Sequence, residues 1–435
     1  MFNKILQFTQ NKTEYLYQNS LFLQNIDKLI FTSILAVFLS STVMSSDVIG
    51  FIALITVFLT FVKILFKPEE RLSCKTFELW LLAYFMIVVV SLAGSTLFHL
   101  SLKGFFKTFT YLAFYASVVQ YLKNNRTKVP YILGIIGLCV SFEAFVGFLQ
   151  NFAHVDEIST WQNVSKLNPE EVMTRVYGTL KPLNPNLLGG YFVSGIPALY
   201  GLAAYFLSKK SVKSAGISII LALLSTVTLF LTGCRGSYIG MMVIMAGMFA
   251  VSAKYLWHNY KQIYLSLVGG VVGLVTFAIL LSSSLRARVL SIFAMRQDSS
   301  NSFRFNVYQS SVEMFKDNWL LGIGVGNKNF REIYGLYMKT GFDALSAYNI
   351  FLEIAVESGI FALIAYLGFL VTLIKDAVKF VLKSTDIQAV IFVSTALISI
   401  CAVSIHGLVD TVFFRPQIQF VFWSMVAIVR SFIID

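Results

Sequence analysis

Apolar residues dominate the chain in runs that recur from one end to the other. The runs fall near 29–45, 48–66, 77–98, 102–121, 130–152, 186–207, 214–232, 236–253, 263–283, 347–374, 387–409 and 416–433. Each is close to the ~20 residues that a helix needs to cross a hydrocarbon core. The pattern predicts an all-α polytopic membrane protein of about twelve transmembrane helices. The joins at Ser45–Asp47 and Gly233–Arg235 are tight, so ten or eleven spans are the alternative.

Polar residues between the runs set the organisation. Residues 1–28 read as a tail, 29–283 as helices 1–9 with a loop at 153–185, 284–346 as a large loop, and 347–435 as helices 10–12. Within 284–346, Phe303, Val307, Tyr308, Val312 and Phe315 recur at helical spacing. They predict an amphipathic helix lying along the membrane. The segment Gly322-Ile-Gly-Val-Gly326 lacks the Lys-Ser/Thr of a phosphate loop and reads as a turn. No fixed-period repeat or low-complexity stretch is evident.

Composition agrees: 57% of the 435 residues are hydrophobic and only 13% are charged, against about 25% charged in soluble domains. The net charge of +12 would ordinarily raise nucleic acid as a partner. Here the lysines and arginines cluster in alternate loops, including Lys123, Arg126, Lys128 and Lys209, Lys210, Lys213. That is the positive-inside pattern of a membrane protein, and it argues against nucleic-acid binding. It places both termini in the cytoplasm and loops 153–185 and 284–346 outside. The start lacks the apolar core and cleavage site of a signal peptide. The four cysteines (Cys74, Cys139, Cys234, Cys401) show no CxxC spacing, and His99, His154 and His258 are scattered. No disulfide framework and no metal site is expected.

Candidate chemistry concentrates towards the outer face. Arg235, in Thr232-Gly-Cys-Arg-Gly-Ser237, is either a snorkelling anchor or an anion-binding arginine. Arg304 opens the amphipathic segment and joins an arginine-rich loop suited to a pyrophosphate. Glu353 and Glu357 lie four apart on one helical face inside an apolar run, where carboxylates are costly. They could bind a cation or proton, or hold an arginine such as Arg235. His406 and Asp410 are also four apart and could form an oriented base, or tie helices 11 and 12 together. Cys234 has no base beside it in sequence and reads as a small residue.

Taken in order, four stretches resemble the O-antigen ligase and polymerase superfamily of membrane glycosyltransferases. They are Gly178-Thr-Leu-Lys-Pro-Leu-Asn-Pro-Asn-Leu-Leu-Gly189, Thr232-Gly-Cys-Arg-Gly-Ser237, Arg304 through Asn327, and Ser346-Ala-Tyr-Asn-Ile-Phe-Leu-Glu353 with Glu357-Ser-Gly359. Within it, Ala344–Tyr348 and His406–Gln417 are most like the cyanobacterial-type branch labelled as an inorganic carbon (bicarbonate) transporter. The resemblance implies a polyprenyl-diphosphate-linked glycan transferred to an acceptor hydroxyl on the outer face of a bacterial plasma membrane. The anomeric carbon inverts, and no metal or cofactor takes part. It implies that Arg235 and Arg304 bind the pyrophosphate, and that Asn186, Asn349, Glu357 and His406 support the site. The family's proposed histidine aligns with Tyr348, a phenol with an ordinary pKa near ~10 and a poor base. Tyr348, Glu353 and Asp410 are therefore the catalytic candidates. The alternative is a transporter of bicarbonate or another small anion.

Overall fold

A computed structural model describes residues 19–66, 74–153, 175–293 and 299–433. Trp161 and Glu170 of loop 153–185 lie outside the described residues, as do Arg296 and Asp298.

Each apolar run is a helix. The helices are α1 (Ile26–Ser41), α2 (Ser46–Phe66), α3 (Thr76–Gly94), α4 (Phe98–Asn124), α5 (Val129–Gln150), α6 (Pro185–Ser208), α7 (Val212–Leu231), α8 (Arg235–Leu256) and α9 (Lys261–Leu281). The loop that follows carries α10 (Ser283–Leu290), α11 (Ser299–Asp317) and α12 (Asn327–Tyr334). The chain ends with α13 (Ile350–Lys383), α14 (Ile387–His406) and α15 (Pro416–Phe432). Among the described residues, nine helices are long and apolar enough to cross a membrane. The other three runs give helices that are short (α1 has 16 residues, α15 has 17) or diluted by polar side chains, as in α4 with Lys103 and Lys107. The protein is an all-α polytopic membrane protein.

The tight joins are real turns. Gly233, at φ 60, lets the chain leave α7 and begin α8 two residues later. Helix α6 is the hub, packing on α5, α7, α8, α14 and α15. Helix α15 is buried from Pro416 to Ser431. By contrast α9 buries none of its residues.

A second, smaller core lies beyond the bundle. Phe303, Val307 and Met314 of α11 pack with Ile323, Phe330, Tyr334, Ala344, Ala347 and Val356. The amphipathic segment therefore spends its apolar face on a protein core built by 323–356, while Val312 stays exposed. A membrane is not needed to cover that face.

Helix α13 breaks at Gly359 (φ 81, ψ 177), a conformation open essentially to glycine alone. The glycine-rich segment docks into the break. Ile323 N donates to Val356 O at 3.0 Å, Gly324 N to Glu357 O at 2.9 Å, and Ile360 N to Trp319 O at 2.8 Å. Gly326 N donates to Glu357 Oε1 at 2.8 Å. The turn read from Gly322–Gly326 thus satisfies the orphan backbone groups of an interrupted helix.

Candidate functional site

The site forms around the turn Thr232–Arg235, where arginines from separate parts of the chain meet. Arg175 comes from the stretch ahead of α6. Its Nε donates to Thr232 O at 2.8 Å and its Nη2 to Asn186 Oδ1 at 2.5 Å. A side chain at 233 would stand 3.2 Å from Arg175 Nε, so Gly233 both turns the chain and admits the guanidinium. Arg288 of α10 donates from Nε to Gly233 O at 2.8 Å. Arg235, the first residue of α8, is buried and donates from Nη1 to Ser291 O at 3.1 Å and Ser291 Oγ at 3.2 Å. Burial and then the charge of Arg288 lower the Arg175 guanidinium to about 10, still a cation at neutral pH. Like charges crowded in this way favour an anion between them.

Arg304 and Asp410 extend the cluster. Arg304 Nη2 lies 3.8 Å from Asp410 Oδ2, Nη1 donates to Ser300 Oγ at 3.1 Å, and Cζ sits 5.9 Å from the Tyr348 ring centre. Asp410 is buried. Its Oδ1 accepts from Thr411 N at 2.8 Å and Val412 N at 3.2 Å, whereas Oδ2 accepts no hydrogen bond. The carboxylate is therefore oriented by backbone, with one oxygen facing the arginine.

His406, at the end of α14, places Nε2 3.8 Å from Cys234 Sγ. The two are 172 positions apart in sequence, which is why Cys234 reads as having no base beside it. Burial raises the thiol, but the hydrogen bond and charge of His406 outweigh it and bring Cys234 down to about 7.

Tyr348 stands beside Arg304 with φ 53, a left-handed conformation unusual for a bulky residue. Burial and then the charge of Asp410 push its phenol up to about 12, with Arg304 opposing. Even less phenolate is present at neutral pH than an ordinary tyrosine would give, so Tyr348 is less available as a general base than the sequence implies. Asn349 caps α13, its Oδ1 accepting from Phe351 N and Leu352 N at 3.0 Å each. Asn349 Nδ2 donates to Leu408 O at 3.1 Å, which ties α13 to the turn that carries Asp410. Asn186 orients Arg175. Glu357 holds the glycine segment, and Glu353 is buried with Oε2 lacking a hydrogen-bond partner. Among the described residues no ion pair joins Glu353 or Glu357 to an arginine, and Arg235 donates to Ser291.

The structure thus gathers Arg235, Arg304, His406, Asp410, Tyr348 and Asn186 at one end of the bundle. It adds Arg175, Arg288 and Cys234. Arg288 stood in the arginine-rich loop without distinction, and Arg175, three residues ahead of Gly178, carried only its charge as a signal.

Residues 220–367 match the O-antigen ligase family. The chain resembles the O-antigen ligase and polymerase superfamily. It is also 26% identical over 228 residues to the teichuronic acid biosynthesis protein TuaE of Bacillus subtilis (strain 168). That match covers 48% of this chain and 45% of the relative, so the chain spans less than half the length of the curated protein it matches. The family segment contains Arg235, Arg288, Arg304, Tyr348, Glu353 and Glu357. Arg175, Asn186, His406 and Asp410 reach the same site from outside it.

Proposed function

We propose that the protein is a membrane glycosyltransferase of O-antigen ligase or polymerase type, acting in cell-envelope polysaccharide synthesis. The observation that carries this reading is the convergence of Arg175, Arg235 and Arg288 around one turn, with Arg304 next to them beside the oriented carboxylate of Asp410. Guanidinium groups bind phosphate oxygens bidentately, and a cluster held in place by backbone carbonyls is preorganised for a diphosphate. The likeness to the ligase family supports the same substrate class.

In this reading the lipid diphosphate of a polyprenyl-linked glycan lies against the arginines. Asp410 takes the proton of an acceptor hydroxyl on a glycan or lipid. The acceptor oxygen bonds to the anomeric carbon from the opposite face, and the carbon–oxygen bond to the diphosphate breaks with its electrons going to the leaving group. Arginine charge replaces the metal that would otherwise neutralise that leaving group. Tyr348 positions rather than deprotonates. The site faces outward from a bacterial plasma membrane, with both termini in the cytoplasm.

The test uses purified protein with a polyprenyl-diphosphate-linked oligosaccharide, alongside the surface polysaccharide displayed on a gel. Arg304→Ala and Arg235→Ala should abolish extension in both. An unchanged polysaccharide pattern in these variants and in a deletion strain sinks the idea.

Small-anion transport is the second reading. The break in α13 favours it, because interrupted membrane helices commonly hold transported ions. Against it, the backbone groups at the break are already taken by residues 319–326. Bicarbonate flux in proteoliposomes, lost on changing Glu353, would establish transport instead.

A further inference from the structure

Cys234, His406 and Asp410 come from two chain segments, and all three are at least nine-tenths buried. One donor atom from each lies within 4.8 Å of the others. The transfer reading uses Asp410 alone of these and gives the thiol and the imidazole no role. We propose that these three side chains form a binding site for a thiophilic divalent cation of the zinc class.

The geometry supports it at three points. Tetrahedral zinc with a thiolate at about 2.3 Å and an imidazole at about 2.0 Å sets sulfur and nitrogen about 3.5 Å apart. Cys234 Sγ and His406 Nε2 are 3.8 Å apart, so the pair already spans one edge of a coordination tetrahedron. Asp410 is the second point. Two backbone N–H groups hold its Oδ1, as outer partners orient metal ligands, while its buried Oδ2 accepts no hydrogen bond.

The third point is the space around the pair. A side chain at Gly189 would stand 2.9 Å from Cys234 Cβ. One at Gly236 would stand 3.1 Å from His406 Nε2, and one at Gly190 would stand 3.3 Å from His406 Cε1. Three glycines on α6 and α8 thus make room for the imidazole and thiol to meet.

Donor chemistry selects the ion. Thiolate, imidazole and carboxylate together suit zinc, whereas magnesium and calcium prefer an all-oxygen shell. A thiolate and a carboxylate also cancel the charge of a divalent cation, which matters beside so many arginines. Three protein donors leave a fourth position for water. Binding would draw Asp410 from Arg304 and occupy the carboxylate that the transfer reading uses as base, so the metal-loaded and transferring states exclude one another.

The experiment titrates the reduced full-length protein in detergent micelles with cobalt(II), then zinc(II). One equivalent of cobalt should give a thiolate charge-transfer band together with the visible bands of a four-coordinate ion, and zinc should displace both. Cys234→Ser and His406→Ala should abolish the bands, and Asp410→Asn should weaken affinity about tenfold or more. The double variant C74S/C401S should bind as the unaltered chain does. X-ray absorption of the zinc-loaded unaltered protein should show one sulfur at about 2.3 Å, which needs no variant to fold. Absence of the cobalt bands in the unaltered protein, their survival in Cys234→Ser, or a sulfur-free zinc shell each overturns the proposal. None of these readouts depends on glycan transfer.

Discussion

Arg175→Ala tests the arginine cluster most directly, because structure alone singled this residue out. Its guanidinium holds Thr232 O and Asn186 Oδ1 at 2.8 and 2.5 Å. Hydrogen bonds of a charged group contribute about 1.5–3 kcal/mol each, which sets the upper end of the stability loss. Burial works the other way. The Arg175 value in the fold lies below that of the unfolded chain. The buried charge therefore costs stability at every pH below about 10, and the cost fades as pH rises above that. Alanine removes the cost along with the bonds. The net loss at neutral pH should be about 1–3 kcal/mol, a modest fall in melting temperature. Transfer should suffer far more. Removing one preorganised donor from developing negative charge typically costs about 10²–10³ in rate. Arg175→Lys keeps the charge but cannot fork between two acceptors, so it should recover stability better than rate. The assay is the initial rate of transfer from a lipid-linked donor, with thermal unfolding measured on the same samples. A folded Arg175→Ala protein with a rate within twofold of the unaltered one would refute the clamp and leave Arg175 a purely structural tie.

Further outcomes follow from the same geometry. Asp410→Asn should lower transfer by about 10²–10⁴ while keeping the fold, since asparagine can still accept from Thr411 N and Val412 N. Tyr348→Phe should transfer within about threefold of the unaltered chain between about pH 6 and 9, because the phenol is held protonated there. Its pH–rate profile should not move; a shifted profile would make Tyr348 a proton carrier after all. Gly359→Ala should cost about 1–3 kcal/mol from backbone strain alone, and its methyl would meet the Leu320 carbonyl besides. Gly50→Ala, inside α2 with nothing within 4 Å of the added carbon, serves as the clash-free control and should hold or slightly raise the melting temperature, since alanine favours a helix over glycine by about 0.5–1 kcal/mol.

Much of the architecture was legible in the sequence because the bilayer imposes a length. Every apolar run became a helix, even the two separated only by Gly233-Cys234-Arg235. The site was legible in part. Arg235 stood out as a cation between two apolar runs, Arg304 as the opening of the amphipathic segment, and His406 with Asp410 by helical spacing. Arg175 and the Cys234–His406 contact could not be read. They depend on how α6, α8 and α14 pack, and nothing local marks two residues 172 positions apart as neighbours. The glycine segment shows a similar limit. Its composition announced a turn, but its use, filling the break at Gly359, lies in pairing with residues 356–360.

Tyr348 shows how the outer core and the arginine cluster depend on one another. A tyrosine at φ 53 costs about 1–3 kcal/mol, and something nearby must hold it there. Tyr308 donates to Tyr348 O at 3.2 Å, Asn349 caps the helix that follows, and Ser346 and Thr411 share a hydrogen bond at 2.5 Å. These ties join α11, the start of α13 and the turn bearing Asp410. The twisted backbone swings the ring against Phe303, edge to face at 5.7 Å, and brings it beside Arg304. An aromatic face there limits where the guanidinium can go, leaving Asp410 as its neighbour on the other side. A histidine at this position could move a proton, whereas in the proposed transfer this tyrosine would fix a cation. Loss of the base at one position and its supply by Asp410 at another would then be two halves of one arrangement. Phenylalanine at 348 should preserve that arrangement, because the ring and not the hydroxyl does the holding.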